Sequence, residues 1–206
     1  SLIADACYDL DDFDKIFRAK SNKELIFAFS CLTSDNSKIS VSALFYSYNH
    51  PNSGSYVYRP AGEVMTLYDD GDLRKEISIT TLDNLDFINK YPSGQTGTDP
   101  MVISRLAEMY LISAEAQGVE KGLSRLNELR NRRGLANIYP SSEAKFIDAL
   151  LEERRRELLC ENHRWYDLVR LGKAVEVLGI QPYQTLMPVP ASERSANKNL
   201  TQNDGY

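Results

Sequence analysis

The stretch ERRRELLCENHRWYDLVRLGK (residues 153–173) places three consecutive arginines shortly before the only tryptophan of the chain. Three structures can hold such a stretch: a nucleic-acid surface, a catalytic site, or a helical core that contains its own counter-charges. A nucleic-acid surface needs a clustered basic excess. Here Glu152, Glu153 and Glu157 flank the arginines, and the 206-residue chain carries a net charge of −5. The charge pattern therefore argues against nucleic-acid binding.

The stretch lies at the end of a predicted helix. The helix is expected to begin after Pro140, with Ser141 or Ser142 as its N-cap. Its apolar stripe follows the three- and four-residue spacing of one helical face and comprises Phe146, Ile147, Leu150, Leu151, Arg154 and Leu158. The helical period thus turns Arg154 toward the core and predicts that the two following arginines point outward.

The glutamates of this stretch favour ion pairs over catalysis. Catalysis by Glu153, Glu157 or Glu161 would require two carboxylates poised in a cleft. Glutamates at helical spacing from arginines are more typical of ion pairs. The sequence therefore predicts that the chain is not an enzyme and implies no cofactor.

Arg154 and Trp165 are predicted to be structural residues that fix this helix to the next one. A buried arginine needs a carboxylate partner, because an unpaired buried charge is costly, and Glu108 and Glu115 are the candidates. A lone tryptophan can also serve as a stacking platform for a sugar. Trp165 lies in the apolar sequence RWYDLV, which favours packing in the core.

The composition is that of an ordinary folded domain, with 42% apolar and 26% charged residues. Two histidines and three cysteines have no zinc-ligand spacing, and no metal site is predicted. No apolar run approaches the roughly 20 residues of a membrane span, and no signal peptide is recognised. Since the first residues already have a helical pattern, we expect the chain to be the back part of a longer protein.

The chain divides into three predicted regions. Residues 1–32 are predicted to be the end of a helical-repeat region, with an apolar stripe over residues 2–17, followed by the apolar run LIFAF, which is either a buried strand or a short extended segment. Residues 33–100 are rich in Ser, Asn, Gly, Pro, Tyr and Asp, with brief strand-like pieces such as EISITTL. Loops of this length are usually functional or disordered. Residues 101–206 form a helical region with an extended tail.

The helical region begins with a predicted hairpin. The sequences MVISRLAEMYLISAEAQG and LSRLNELRNRRG both have apolar residues at helical spacing, and Gly118 and Gly134 are suited to end the two helices. A pair of this size is typical of a tetratricopeptide-like repeat. The predicted fold is mainly α: a tetratricopeptide-like hairpin and further packed helices, with a loop-rich insertion that contains short strands.

Five ordered motifs carry a resemblance to a known family. They are RLAEMYLISAEA, LNELRNRRGL, LLEERRRELLCENHRWYDLVRLGK, LMPVPASE and the terminal NLTQNDGY. Their order and content resemble the C-terminal part of RagB/SusD outer-membrane glycan-binding proteins of Bacteroidetes. ELIFAFS and YDDGDLR are similar to weaker family landmarks upstream.

The resemblance implies a non-enzymatic lipoprotein at the outer face of the outer membrane. Such a protein has a tetratricopeptide-like scaffold, caps a SusC-like TonB-dependent transporter and holds oligosaccharide, or another nutrient, for import. The resemblance implies contact with the membrane only through a lipid anchor, which we expect to lie outside this chain. A helical-repeat scaffold that binds protein without glycan is the alternative function.

The tyrosine-rich stretch YSYNHPNSGSYVYRP is the predicted ligand site, although no family motif assigns it. Tyrosine combines a flat apolar face with a hydroxyl, and Asn and Arg provide directional hydrogen bonds to sugar hydroxyls. The candidate ligand residues are Tyr46, Tyr48, Asn49, Tyr56, Tyr58 and Arg59. The alternative is a packed β-hairpin, in which alternation would place Tyr46 with Tyr48 on one face and Tyr56 with Tyr58 on one face.

The sequence YDDGDLRKE contains oxygen ligands suited to calcium, at Asp69, Asp70 and Asp72. It lacks the glycine and glutamate positions of a twelve-residue calcium loop. A surface turn is the favoured interpretation.

Overall fold

The computed structural model describes residues 2–18, 22–32, 34 and 42–206 of the chain. Part of the predicted loop-rich region, residue 33 and residues 35–41, lies outside this description. The chain forms two compact units, residues 1–161 and 162–206. Helices of the first unit are α1 (Phe13–Arg18), α2 (Gly62–Met65), α3 (Lys75–Ser78), α4 (Leu106–Arg132) and α5 (Glu143–Glu157). Its strands are β1 (Leu25–Phe29), β2 (Ile79–Leu82), β3 (Leu85–Ile88) and β4 (Met101–Arg105). The second unit contains α6 (Arg164–Arg170), α7 (Ala174–Leu178) and α8 (Ala191–Ala196).

The predicted helical hairpin is present within α4. Gly118 adopts φ 65° and ψ −175°, so the helical backbone is interrupted there and the chain turns back. The two arms then pack very closely, because a Cβ atom on Gly122 would lie 1.9 Å from the carbonyl oxygen of Ala114. Ser142 caps α5 by accepting a hydrogen bond from the backbone N–H of Lys145. The mainly helical character of the described residues confirms the predicted fold class.

One hydrophobic core joins the hairpin to α5. It contains the buried residues Leu10, Leu106, Ala107, Tyr110, Leu111, Ala114, Leu126, Leu129, Phe146, Leu150 and Leu158. The predicted stripe of α5 supplies several of these residues, since Phe146, Leu150 and Leu158 are all buried in it. The helical period therefore identified the apolar part of the buried face of α5, but not Glu153 and Glu157, which are buried on the same helix.

Two predicted helices are wrong in their extent. The segment 2–17 forms a short 3-10 turn at Leu2–Ala4 and the helix α1, and residues 5–12 are not helical. Aspartates compete for backbone hydrogen bonds there: Asp5 accepts from the N–H of Cys7, and Asp11 accepts from the N–H of Lys23. The sequence predicted a helix from residue 101, but Met101–Arg105 forms β4, whose antiparallel partner is β1.

A second core lies beneath the loop-rich region. It contains Phe13, Ile16, Phe17, Phe45, Leu67, Tyr68, Ile79, Ile88 and Tyr91. The antiparallel hairpin of β2 and β3 contributes Ile79 and Ile88, which are paired across the hairpin. Asp83 and Asn84 connect these strands with φ of 52° and 61°. Two consecutive positive φ values are typical of the tight turn that matches strand twist, so the tip of this hairpin has a defined geometry.

The sequence predicted that the tail of the second unit is extended. The structure shows that this is only partly correct. A 3-10 turn at Pro182–Thr185 and helix α8 lie within the tail. The Gln202 side chain accepts a hydrogen bond from the N–H of Val189 and donates one to its carbonyl. The Tyr206 hydroxyl donates to the carbonyl of Leu186 at 2.9 Å. The tail is therefore held by hydrogen bonds between side chains and backbone, whereas the strands are held by hydrogen bonds between backbone groups.

Across the described residues, no helix has both the length and the apolar character required to cross a membrane.

Candidate functional site

Glu157 lies at the centre of a buried ion-pair network. Its carboxylate accepts hydrogen bonds from Arg74 at 2.9 Å, Arg105 at 2.6 Å and Arg133 at 2.9 Å. Within the described residues, the cations of the network are Arg74, Lys90, Arg105, Arg130 and Arg133, and its carboxylates are Glu24, Asp72, Glu153, Glu157 and Glu161. The two groups are equal in number, so the network is neutral as a whole.

The cations of the network lower the pKa of two of its glutamates, Glu157 and Glu161. Burial alone would raise the pKa of Glu157, but the guanidiniums of Arg133, Arg105 and Arg74 outweigh burial and hold that pKa well below its usual range. Glu161 behaves in the same way, because Arg105 and Lys90 lower its pKa despite burial. A general acid must carry a proton at working pH. Glu157 and Glu161 are therefore suited to ion pairing and unsuited to proton donation.

The three consecutive arginines serve different parts of the fold. Arg154 is buried, as its place on the apolar stripe predicts. The Arg155 guanidinium donates to Glu63 at 2.7 Å, and Arg156 donates to the carbonyl of Leu67 at 2.9 Å. The prediction that both point outward is wrong, since both are half-buried and bind the segment around α2. Trp165 is half-buried on α6, and its proposed packing role stays a prediction.

The aspartate-rich turn forms ion pairs with neighbouring cations. Asp69 lies 3.2 Å from Arg156, and Asp70 lies 3.7 Å from Lys75. Asp72 binds Arg74 at 2.7 Å with both side chains fully buried. The surface-turn interpretation is therefore wrong for Asp72, whose carboxylate is part of the core network.

Residues 46–59, here called the tyrosine loop, are held by backbone contacts without forming strands. The N–H of Tyr56 donates to the carbonyl of Tyr46 at 2.9 Å, and the N–H of Gly54 donates to the carbonyl of Ser47 at 3.1 Å. The two arms approach so closely that a Cβ atom on Gly54 would lie 2.3 Å from the Tyr46 carbonyl oxygen. Only glycine fits there, which fixes the loop without a regular hairpin.

The predicted alternation of the tyrosines is wrong. Tyr46 is fully buried and its hydroxyl donates to Oδ1 of Asn89 at 2.8 Å, whereas Tyr48 is 80% exposed. Tyr56 is half-buried, and its hydroxyl donates to the carbonyl of Asp86. The loop therefore has a supporting layer, formed by Tyr46 and Tyr56, and an exposed aromatic ring at Tyr48.

The tyrosine loop and the β2–β3 hairpin enclose a pocket of about 160 Å³. The loop lines it with Ser47, Tyr48, Asn49 and His50, and the hairpin lines it with Leu82, Asp83, Leu85 and Phe87. Among the predicted ligand residues, Tyr48 and Asn49 are brought to the pocket. Tyr58 and Arg59 are exposed elsewhere on the loop: Tyr58 lies near Phe45, and Arg59 lies over the ring of Tyr56.

Aromatic packing holds the base of the pocket in place. Phe87 is buried, and its ring centroid lies 4.9 Å from that of His50 and 5.1 Å from that of Tyr56. His50 also stacks on Tyr46 at 4.3 Å. Sequence reasoning missed Phe87 and the hairpin tip, because they are distant from the loop along the chain. The two-residue turn Asp83–Asn84 between apolar residues was a usable signal for a hairpin.

His50 has a defined protonation state. Its Nδ1 atom accepts a hydrogen bond from the backbone N–H of Asn52 at 3.0 Å, so the ring proton of the neutral form is on Nε2. Burial lowers the pKa of His50, which favours the neutral ring at neutral pH. The histidine therefore offers an uncharged N–H donor.

The chain belongs to the SusD family: residues 73–184 match the model of that family. The resemblance recognised in the sequence is thereby confirmed. The match contains the β2–β3 hairpin and the ion-pair partners Arg74 and Glu157, whereas the tyrosine loop lies before its first residue. The loop side of the pocket therefore lies outside the region that matches the family model, whereas the hairpin side lies inside it.

Curated relatives and solved structures agree with this assignment. SusD-like protein P38 of Formosa agariphila is 31% identical over 63% of this chain and 30% of its own length. Starch-binding protein SusD of Bacteroides thetaiotaomicron is 33% identical over 50% of this chain and 21% of its own length. A laminarin-binding SusD-like protein of known structure has a TM-score of 0.80 and 26% identity, covering 97% of this chain and 54% of that one.

Further support for the fold comes from surface glycan-binding protein A of Bacteroides thetaiotaomicron, with a TM-score of 0.82 at 22% identity, covering 98% of this chain and 57% of that one. The chain therefore spans about half the length of the solved relatives and less than a third of the curated ones.

Proposed function

We propose that this chain is part of a non-enzymatic glycan-binding protein that captures oligosaccharide at the cell surface. The observation that carries the proposal is the exposed ring of Tyr48 beside the uncharged hydrogen-bonding groups of Asn49 and His50 at one pocket. Aromatic rings pack against the apolar C–H face of a sugar, while amide and imidazole groups bind its hydroxyls. The laminarin-binding and starch-binding relatives support the same class of ligand.

The ion-pair network supports a non-enzymatic role for the protein. Glycoside hydrolysis uses two carboxylates that flank the scissile bond, one of them protonated. The carboxylates of Glu153, Glu157 and Glu161 instead form ion pairs with buried cations and accept hydrogen bonds from Arg74, Arg105 and Lys90, respectively. They lie within the core of the first unit, where no sugar reaches them.

Family membership supports the remaining part of the proposal. We place the protein at the outer membrane, exposed at the cell surface, where it delivers oligosaccharide to a SusC-like TonB-dependent transporter. Co-purification of the chain with a transporter from outer-membrane extracts would test this partnership independently of any glycan.

Native affinity electrophoresis in gels containing laminarin or starch, followed by calorimetry with laminarihexaose and maltoheptaose, tests glycan binding. We expect Tyr48→Ala to weaken binding about tenfold, which corresponds to the roughly 1–2 kcal/mol of an aromatic contact. Tyr139→Ala is the matched control, because Tyr139 is 79% exposed but does not line the pocket. Equal affinities for the two variants would remove the pocket from the proposal.

A protein-binding scaffold is the second candidate function, and an exposed sheet face favours it. Phe27 and Phe29 share one face of β1, because alternate strand residues point to the same side. Both rings are about half exposed and lie 5.1 Å apart. If this function is correct, Phe29→Ala will reduce co-purification with the transporter, and the unmodified chain will bind none of the glycans tested.

A further inference from the structure

The charge at the pocket is carried by one side chain. Of the described residues that line it, Asp83 alone has a carboxyl group. Tyr48, Asn49 and Ser47 offer neutral hydroxyl and amide groups. No lysine or arginine is among the lining residues within the part of the chain that the structure describes. Among the described lining residues, an anionic ligand would therefore meet a carboxylate and no compensating cation.

His50 does not supply the missing positive charge. Its Nδ1 atom accepts a hydrogen bond from the N–H of Asn52, and the ring stacks on Tyr46 and meets Phe87 edge-on. Protonation would place a cation in this partly buried aromatic setting, which burial disfavours. The ring thus contributes a neutral Nε2–H donor, and hydroxyl oxygens are good acceptors for such a donor.

Asp83 is fixed at the tip of the hairpin. Its φ of 52° and that of Asn84 at 61° define the two-residue turn, and Leu82 pairs with Leu85 directly behind it. The backbone thus holds Asp83, an exposed residue, at the edge of the pocket. As an acceptor with two oxygens, it can receive hydrogen bonds from two neighbouring sugar hydroxyls.

The pocket is also small. Its volume of about 160 Å³ lies below the roughly 300–1,000 Å³ of sites that enclose drug-sized ligands. A space of this size suits one sugar ring, with the rest of an oligosaccharide lying outside it.

We propose that this pocket binds a single neutral pyranose residue of a glycan and discriminates against uronic, sialic and sulfated sugars. Tyr48 stacks on the ring, the His50 Nε2–H and the Asn49 amide bind hydroxyl oxygens, and the Asp83 carboxylate accepts from hydroxyl groups. This inference rests on the proposed glycan-binding function and adds the charge class of the ligand.

The first test is an array that carries neutral gluco-, galacto-, manno- and xylo-oligosaccharides beside uronate, sialylated and sulfated glycans. We expect neutral members alone to bind. Binding to anionic members alone would overturn the inference and leave the glycan-binding function standing. Binding to no member of either class would overturn the glycan-binding function, and the inference with it.

The second test compares laminarihexaose and maltoheptaose with derivatives oxidised to carboxylates at C6. At low ionic strength we expect the oxidised forms to bind at least about fivefold more weakly, as charges near 4 Å repel each other by about 1 kcal/mol even in water. The difference should shrink in high salt, where screening is strong. Equal or tighter binding of the oxidised forms would contradict the proposal.

Asp83→Asn assigns the discrimination to one residue. Asparagine tolerates the positive φ of this position, so the turn is retained while the charge is removed. We expect the variant to bind oxidised probes several-fold better than the unmodified chain. Asp70→Asn is the control, since it removes the same charge from an exposed side chain outside the pocket. Identical behaviour of the two variants would show that overall charge, and not Asp83, rejects anions.

Discussion

The ion-pair network and the tyrosine loop both combine polar groups with aromatic rings, yet they have opposite physical properties. In the network, Glu157 is fully buried and accepts hydrogen bonds from three arginines. In the loop, Tyr48 is 80% exposed at the mouth of a pocket. A buried charge with every partner in place contributes to folding, whereas an exposed ring beside neutral donors is suited to a ligand. In this comparison, a structural residue is distinguished from a candidate ligand residue by the number of its partners within the fold, and not by its residue type.

The largest effect is expected from removing the central charge of the network. Glu157→Gln keeps the size of the side chain but removes its negative charge. Arg74, Arg105 and Arg133 then lose the carboxylate that all three bind. Breaking a buried pair in this way costs about 3–5 kcal/mol. Urea unfolding midpoints measure the change in stability.

Glu152→Gln is the matched control on the same helix. Glu152 lies 4.0 Å from Arg155 and is partly exposed, so we expect a change below about 0.5 kcal/mol. If both glutamines lowered stability by similar amounts, the contrast between buried and exposed charges would fail.

Arg154 and Arg155 provide the next comparison. Arg154→Ala should cost about 2–4 kcal/mol, since it removes a long buried side chain and leaves a cavity. Arg155→Ala should cost less than about 1 kcal/mol, because its partner Glu63 is mostly exposed. Thermal melts of both variants measure the difference, and a larger effect at Arg155 would contradict the observed orientation of α5.

Acid is expected to destabilise the fold through the glutamates of the ion-pair network. The pKa values of Glu157 and Glu161 are lowered in the folded chain. Groups with a depressed folded pKa stabilise the fold above their unfolded pKa, near 4.3 for glutamate, and lose this contribution as pH falls through the folded value. We therefore expect stability to fall below about pH 4.5. Denaturant titrations between pH 3 and 7 measure it, and Glu157→Gln should flatten the dependence.

The sequence predicted elements that depend on neighbours along the chain. The stripe of α5 located Phe146, Leu150 and Arg154 in the interior, and the hairpin turn at Gly118 followed from spacing and a glycine. Glutamate partners could not be predicted in the same way. Glu157 lies 52 residues from Arg105 and 83 residues from Arg74, and no local period connects such positions.

The same limit applies to the pocket. The density of tyrosines predicted a ligand site near Tyr48 and Asn49, and the structure places both at a pocket. It gave no means of separating Tyr46, which is buried, from Tyr48, which is exposed. That separation depends on Phe87 and Asn89, which reach the loop from β3 and the residues that follow it. Strand β4 was also missed, because its partner β1 is remote in sequence.

The smallest expected effects come from removing one hydroxyl at two positions of the tyrosine loop. Tyr46→Phe deletes the hydrogen bond to Asn89 in a buried site, which costs about 1 kcal/mol. For a chain of this size, that lowers the melting temperature by about 2–4 °C. Tyr48→Phe deletes a hydroxyl that faces solvent, so the melting temperature should stay unchanged.

Ligand affinity should respond in the opposite order. Tyr48→Phe keeps the ring that stacks on the sugar, so its affinity for neutral oligosaccharides should fall by less than about fivefold, against about tenfold for Tyr48→Ala. Tyr46→Phe should bind with the affinity of the unmodified chain at temperatures well below its transition, because its hydroxyl does not line the pocket. Calorimetry and thermal melts on the same samples test both halves. If Tyr46→Phe lost affinity without melting earlier, the buried layer of the loop would be part of the binding site, and the distinction between supporting and exposed tyrosines would have to be given up.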